Sequence, residues 1–145
     1  MQSLRDEDKF MFIVVDASVW VSRLVSEDAF HERVKTWMSA RLDGGDEFLA
    51  PSLLLAEIGG AISRRTTPAL GLQAIEIVKN LPGLQLVEME QSLLHDAAQL
   101  AAELSLRGAD STYVAVAFRL DLPFVTLDAD QKEKSRKRVT ILEID

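Results

Sequence analysis

Short apolar runs separated by amphipathic stretches constrain this chain more than any other feature of its sequence. The runs are residues 10–16 (FMFIVVD), 48–50 (FLA), 84–87 (LQLV), 123–127 (PFVTL) and 139–142 (VTIL). They are short and rich in β-branched and aromatic residues, which suits buried strands better than helices. Between them the apolar residues recur at helical spacing, over 17–26 and 28–41, then 53–65 and 68–80, then 91–106 and 109–120. A short polar helix precedes the last run. Local signals set the boundaries. Gly44-Gly45 breaks one helix, Ser52 is placed to cap the next, and Thr67-Pro68 offers a cap followed by proline in the first turn. Pro82-Gly83 and Gly108 end two others.

Each connection between strands contains helix, so the strands are expected to run mostly parallel with helices on both faces. The expected fold class is α/β, a three-layer sandwich around a mostly parallel five-stranded sheet. It would occupy residues 10–145 as one domain, with 1–9 (MQSLRDEDK) a frayed, polar lead-in.

Composition narrows the chemistry. The chain has no cysteine, which removes disulfides, thiolate metal sites and thiol redox work. Two histidines, His31 and His95, stand far apart and read as surface residues. The apolar run Phe10 to Val15 is far too short to span a bilayer or serve as a signal-peptide core, so no membrane partner and a cytoplasmic location are expected. A net charge of −7 argues against nucleic acid as partner, because phosphate affinity comes largely from Lys and Arg. Basic residues are nevertheless clustered, at Arg64-Arg65 and at Lys132, Lys134, Arg136, Lys137 and Arg138. The second cluster is a solvated helix face or a holder of RNA phosphates.

Four acids fall where a parallel sheet places its ligands, outside the carboxyl ends of the strands. Asp16 ends the first run and Asp128 follows the fourth, while Glu57 and Asp110 stand early in two helices. Converging carboxylates repel one another unless protons or cations neutralise them. An oxygen-only donor set selects a hard ion, Mg²⁺ with Mn²⁺ able to substitute, and such ions serve phosphate chemistry. Asp16, Asp110 and Asp128 would hold it, with Glu57 bound directly or through water. Each acid also has an ordinary reading: Asp16, Asp110 and Asp128 could simply cap helices, and Glu57 could face solvent. Ser18 and Thr126 read as donors to the carboxylates or as ordinary strand and cap residues. Asp130 reads as an outer acid and Asp96 as a complement to a helix dipole.

VVDASVW around Asp16, PSLLLAEIGGAI around Glu57, RGADSTYVAVA around Asp110 and FVTLDAD around Asp128 together resemble the PIN domain, and within it the VapC-like toxins of toxin–antitoxin pairs. The resemblance covers about residues 10–145. It implies a metal-dependent endoribonuclease that hydrolyses RNA phosphodiester bonds, with Asp16, Glu57, Asp110 and Asp128 as the metal-binding and catalytic acids. It also implies an antitoxin protein partner and a homodimer. Two positions depart from the pattern. Gly60 stands where many relatives carry Asn, and Ala129-Asp130-Gln131-Lys132 stands where a basic and then an apolar residue is usual.

Competing functions fit less well. A D-x-D phosphatase or dehalogenase would need an acid at Ser18, and a phospho-receiver would need an Asp after the third strand, which ends Val87-Glu88. The alternative is a catalytically inactive PIN-like interaction domain. A partner surface is expected among Trp20, Leu24, Phe30, Trp37 and Met38, unless these fill the core.

Overall fold

A computed structural model of the chain describes residues 10–144; the lead-in expected over 1–9 lies outside the described residues. The elements run β1 (Phe12–Val15), α1 (Ala17–Leu24), α2 (His31–Asp43), β2 (Glu47–Pro51), α3 (Leu54–Arg65), α4 (Pro68–Lys79), β3 (Leu84–Val87), α5 (Gln91–Leu104), α6 (Gly108–Leu120), β4 (Phe124–Val125) and α7 (Ala129–Ser135). All strand pairs are parallel, in the order β3-β2-β1-β4. The expected α/β sandwich is the observed one.

The fifth strand is reduced to a single bridge from Ile141 to Phe124. The reason lies in β4, which offers only two residues as a template. Beyond Val125 the chain turns inward, the Thr126 hydroxyl bonds Asp16, and Asp128 caps α7. A longer ladder has nothing to pair with.

Local chemistry explains most helix ends. Thr67 caps α4 through Leu70 N at 3.2 Å, with Pro68 in the first turn, as its sequence signals. Ser52 does not cap α3; Leu53 holds that position without a side-chain bond, and Ser52 instead contributes its carbonyl to Leu55 N. α5 stops before Gly108, because Ser105 adopts the left-handed conformation at φ 58°. Helices α3 and α4 pack closely where glycine permits it. A Cβ on Gly71 would stand 2.8 Å from the Gly59 carbonyl oxygen, so any side chain there would force the pair apart.

The α1–α2 pair corrects the expected partner surface. Trp20, Trp37 and Met38 are buried in the core. Trp20 meets Phe48 of β2 edge-on with ring centroids 5.9 Å apart, and Trp37 stacks on the same ring at 5.7 Å. Burying these rings against the sheet removes large apolar areas from water, so they serve packing. Only Phe30, 42% exposed, and part of Leu24 remain outside. His31 is also buried, contrary to its surface reading, and its Nδ1 lies 2.9 Å from the Ser22 carbonyl oxygen.

Candidate functional site

β1 has β2 on one side and β4 on the other, so the connections diverge there and leave a crevice at the carboxyl ends of β1 and β4. Asp16 sits in that crevice, 4% exposed. It caps α1, accepting from Ser18 N at 3.2 Å, and the same oxygen accepts from the Thr126 hydroxyl at 3.0 Å. Burial pushes its pKa up, and the bonds from Ser18 and Thr126 only partly oppose this.

Glu57 stands in the first turn of α3 and accepts from the Tyr113 hydroxyl of α6 at 2.5 Å. Its pKa is raised first by burial, then by the charges of Asp16 and Asp110. Asp110, in the first turn of α6, is raised by burial and by Asp16 and Asp128, with Arg107 opposing. Asp128 is exposed and turned to cap α7, its Oδ1 accepting from Gln131 N at 3.0 Å. The fold thus brings all four acids to one edge and couples them electrostatically. They do not close on one point: among the described residues no three acids or histidines stand close enough to hold a metal ion as placed.

The donor set nevertheless fits a hard cation. Among the described residues none of the four acids is in an ion pair, whereas Asp28, Asp46, Asp96 and Asp130 all are. A buried carboxylate with no cationic partner is costly unless a proton or metal neutralises it. Oxygen-only ligands suit Mg²⁺ or Mn²⁺ rather than a softer ion.

Other expectations resolve differently. Asp130 pairs with Lys134 at 2.8 Å on the surface and stays out of the cluster, and Asp96 pairs with Arg119 at 2.8 Å. The basic run is largely neutralised: Lys132 meets Glu143, Arg136 meets Glu133 and Glu143, and Arg138 meets Glu103. Arg64 stands better placed, in a cleft that it lines with Ser18, Val21 and Glu57. A second cleft shares Ser18, Val21 and Ala61 with the first and continues to Phe30, Arg65 and Asp128. Together they form one trough that reaches Glu57 and Asp128. A Cβ on Gly60 would meet the Arg64 guanidinium at 3.0 Å, so the glycine leaves that side chain room.

Sequence reasoning passed over Tyr113. Its signal was available, since it lies three residues after Asp110 and therefore shares a helix face with it. Burial and the Glu57 charge drive the phenol pKa far up, so it remains a donor.

Comparisons with known proteins agree with this geometry. The PIN domain profile matches residues 13–137. VapC20 of Mycobacterium tuberculosis, a toxin that cleaves the sarcin-ricin loop, superposes with a TM-score of 0.73 at 18% identity, covering 83% of this chain and 93% of that one. VapBC2 of Rickettsia felis, bound to a DNA fragment from its promoter, gives 0.69 at 15% identity, covering 93% and 100%. FitAcB of Neisseria gonorrhoeae gives 0.67 at 18%, covering 90% and 96%. At these identities the likeness is one of fold. No curated protein matches the chain by sequence. With the profile spanning most of its length, and the coupled acids at the switch point of a parallel sheet, this chain belongs to the PIN domain family.

Proposed function

We propose that this protein is an endoribonuclease dependent on a divalent cation, Mg²⁺ with Mn²⁺ substituting, and the toxin of a toxin–antitoxin pair. The observation that carries the reading is the gathering of Glu57 and Asp110 around the buried Asp16, all three raised in pKa and, among the described residues, none in an ion pair. When bound, the cation supplies charge neutralisation for the phosphate and lowers the pKa of water. Asp16, Asp110 and Asp128 would hold it, with Glu57 bound directly or through water.

The chain's own residues do the positioning. Thr126 and Ser18 N fix the Asp16 carboxylate, and Tyr113 fixes that of Glu57. Glu57 would accept a proton from attacking water, a role supported by a pKa raised by burial and by the charges of Asp16 and Asp110. Arg64 offers a donor to a backbone phosphate in the trough, and the exposed ring of Phe30 offers a base a stacking surface. Asp128 uses only Oδ1 in its cap, which leaves Oδ2 for the cation. This exposed acid would complete the site.

The similarity to VapBC2, together with an apolar cleft between α1, α3 and α4, supports an antitoxin partner. Leu24, Val25, Ile62, Leu70, Ala74 and Ile77 line this cleft of about 220 Å³. Leu70 and Ile77 are about half exposed, at 47% and 49%, so apolar anchors of a partner helix would find a seat there. The protein is also expected to form a homodimer. No described helix is long and apolar enough to cross a membrane.

Incubation of single-stranded RNA with the purified chain tests the reading. Cleavage is expected with Mg²⁺ or Mn²⁺ and is expected to stop in EDTA. Cleavage that persists in EDTA would overturn the metal-dependent mechanism. The spacing of the acids, with no ready-made three-ligand site among the described residues, favours a second reading, an inactive interaction domain. Calorimetric titration with Mn²⁺ separates the two, since only the enzyme requires the ion. Tyr113→Phe is a finer probe: the ring still fills its space, but Glu57 loses its donor. Losses on the order of 10–100-fold are expected in activity or metal affinity. Wild-type values for both would show that the phenol positions nothing.

A further inference from the structure

Thr126 Oγ1 stands at a junction of four polar groups. Asp16 Oδ2 lies at 3.0 Å, Asp128 N at 3.1 Å, Gln131 Oε1 at 3.3 Å and Ser18 Oγ at 3.4 Å. A threonine hydroxyl carries one proton and two lone pairs. With the Gln131 carbonyl oxygen facing it, two acceptors compete for one proton. At the same time Gln131 Nε2 is buried with no hydrogen-bond partner, in a side chain only 3% exposed. Turning the amide end for end removes that competition at Thr126, and Ser18 Oγ keeps Leu127 N as its partner at 3.1 Å. Nε2 then donates to Thr126 Oγ1, Asp128 N fills its second lone pair, and the hydroxyl proton is committed to Asp16.

We propose that Gln131 is a positioning residue for Asp16, acting through Thr126. The chain of bonds runs from the Gln131 amide to the Thr126 hydroxyl to Asp16 Oδ2. It fixes which carboxylate oxygen is occupied and would leave Oδ1 for the cation. This rests on the nuclease reading for the role of Asp16.

A helix-capping role does not account for the arrangement. Gln131 is the third residue of α7 after its cap Asp128, the position from which a glutamine usually reaches back to the cap residue's N–H. Here Thr126 Oγ1 already takes that N–H. The amide is left to the threonine. An apolar side chain of similar size would fill the same space without an orphan donor, so a buried glutamine is explained by what it holds.

The test is a double-mutant cycle of Gln131→Leu and Thr126→Val in the full chain. Its readouts are Mn²⁺ affinity by calorimetry, kcat and KM on RNA, and the Gln131 side-chain amide in ¹⁵N NMR. Gln131→Leu is expected to weaken Mn²⁺ binding about tenfold and to lower kcat with KM for RNA unchanged. In the Thr126→Val background it is expected to add nothing. A fall in melting temperature alone, or losses that multiply in the double variant, would overturn the relay. Gln131→Met, close in volume, replaces the leucine variant if that one does not fold. The NMR readout stands apart from the nuclease reading. If the wild type neither binds Mn²⁺ nor cleaves RNA, that reading fails. The hydrogen-bond chain is still supported by one slow-exchanging Gln131 amide proton that Thr126→Val releases. It is overturned if both protons exchange as in free glutamine.

Discussion

Asp16→Asn is expected to abolish RNA cleavage while making the metal-free protein more stable. Asparagine keeps an oxygen for Ser18 N and for the Thr126 hydroxyl, and it caps helices as well as aspartate does. What it removes is a buried charge that no basic side chain of the described residues neutralises. Activity should fall on the order of 10²–10³-fold or more, the usual effect of removing one preorganised electrostatic element. Stability should rise by roughly 0.5–2 kcal/mol, a typical gain where a functional site carries strain for its chemistry. For a chain of this size that is an upward shift in Tm of roughly 2–6 °C. Calorimetric unfolding in EDTA, run beside a cleavage assay, measures both. A variant that folds normally and still cleaves RNA would remove Asp16 from the mechanism. A variant less stable than wild type would show that the carboxylate is compensated in the metal-free fold.

The second large effect is on pH dependence. Asp16, Glu57 and Asp110 all have pKa values raised in the fold, with burial the leading cause. In the window between the unfolded and folded values, the folded state binds more protons than the unfolded one. Their contribution to stability is therefore complete below the ordinary carboxylate range, about pH 4, and is lost as pH rises through the folded values. Asp28 acts in the opposite sense. Its pKa is lowered by the Ser22 hydroxyl and Arg65, so its contribution appears above that range and is lost on acidification. The difference between wild type and Asp16→Asn isolates the site from such terms. In EDTA that difference should be near zero at about pH 4 and grow toward neutral pH. Mg²⁺ should reverse it, stabilising wild type by about 2.7 kcal/mol at a hundredfold excess over its dissociation constant. Melting curves from pH 4 to 8, with and without Mg²⁺, test this. A difference that is flat with pH, or a wild type insensitive to Mg²⁺, would contradict the assignment.

The sequence by itself determined the parallel α/β architecture and the placement of the acids. Both follow from local rules. A short apolar run such as Ile13-Val14-Val15 is buried between two layers, and helix between consecutive strands favours parallel pairing. Once the strands are parallel, residues that end them, such as Asp16, gather at one edge. Tertiary structure alone decided what depends on neighbours distant in the chain. Trp20 and Trp37 carry the same apolar character whether they face a partner or Phe48, and only the docking of α1 and α2 on β2 put them inside. His31 read as a surface residue until packing enclosed it, because burial belongs to the assembled layers and not to a residue type. The basic run looked available for phosphates until Glu103 and Glu143 were brought against it. The carboxylates' shifted affinities arise in the same way. Desolvation and mutual repulsion exist only once the fold has excluded water and set four charges from separate segments side by side.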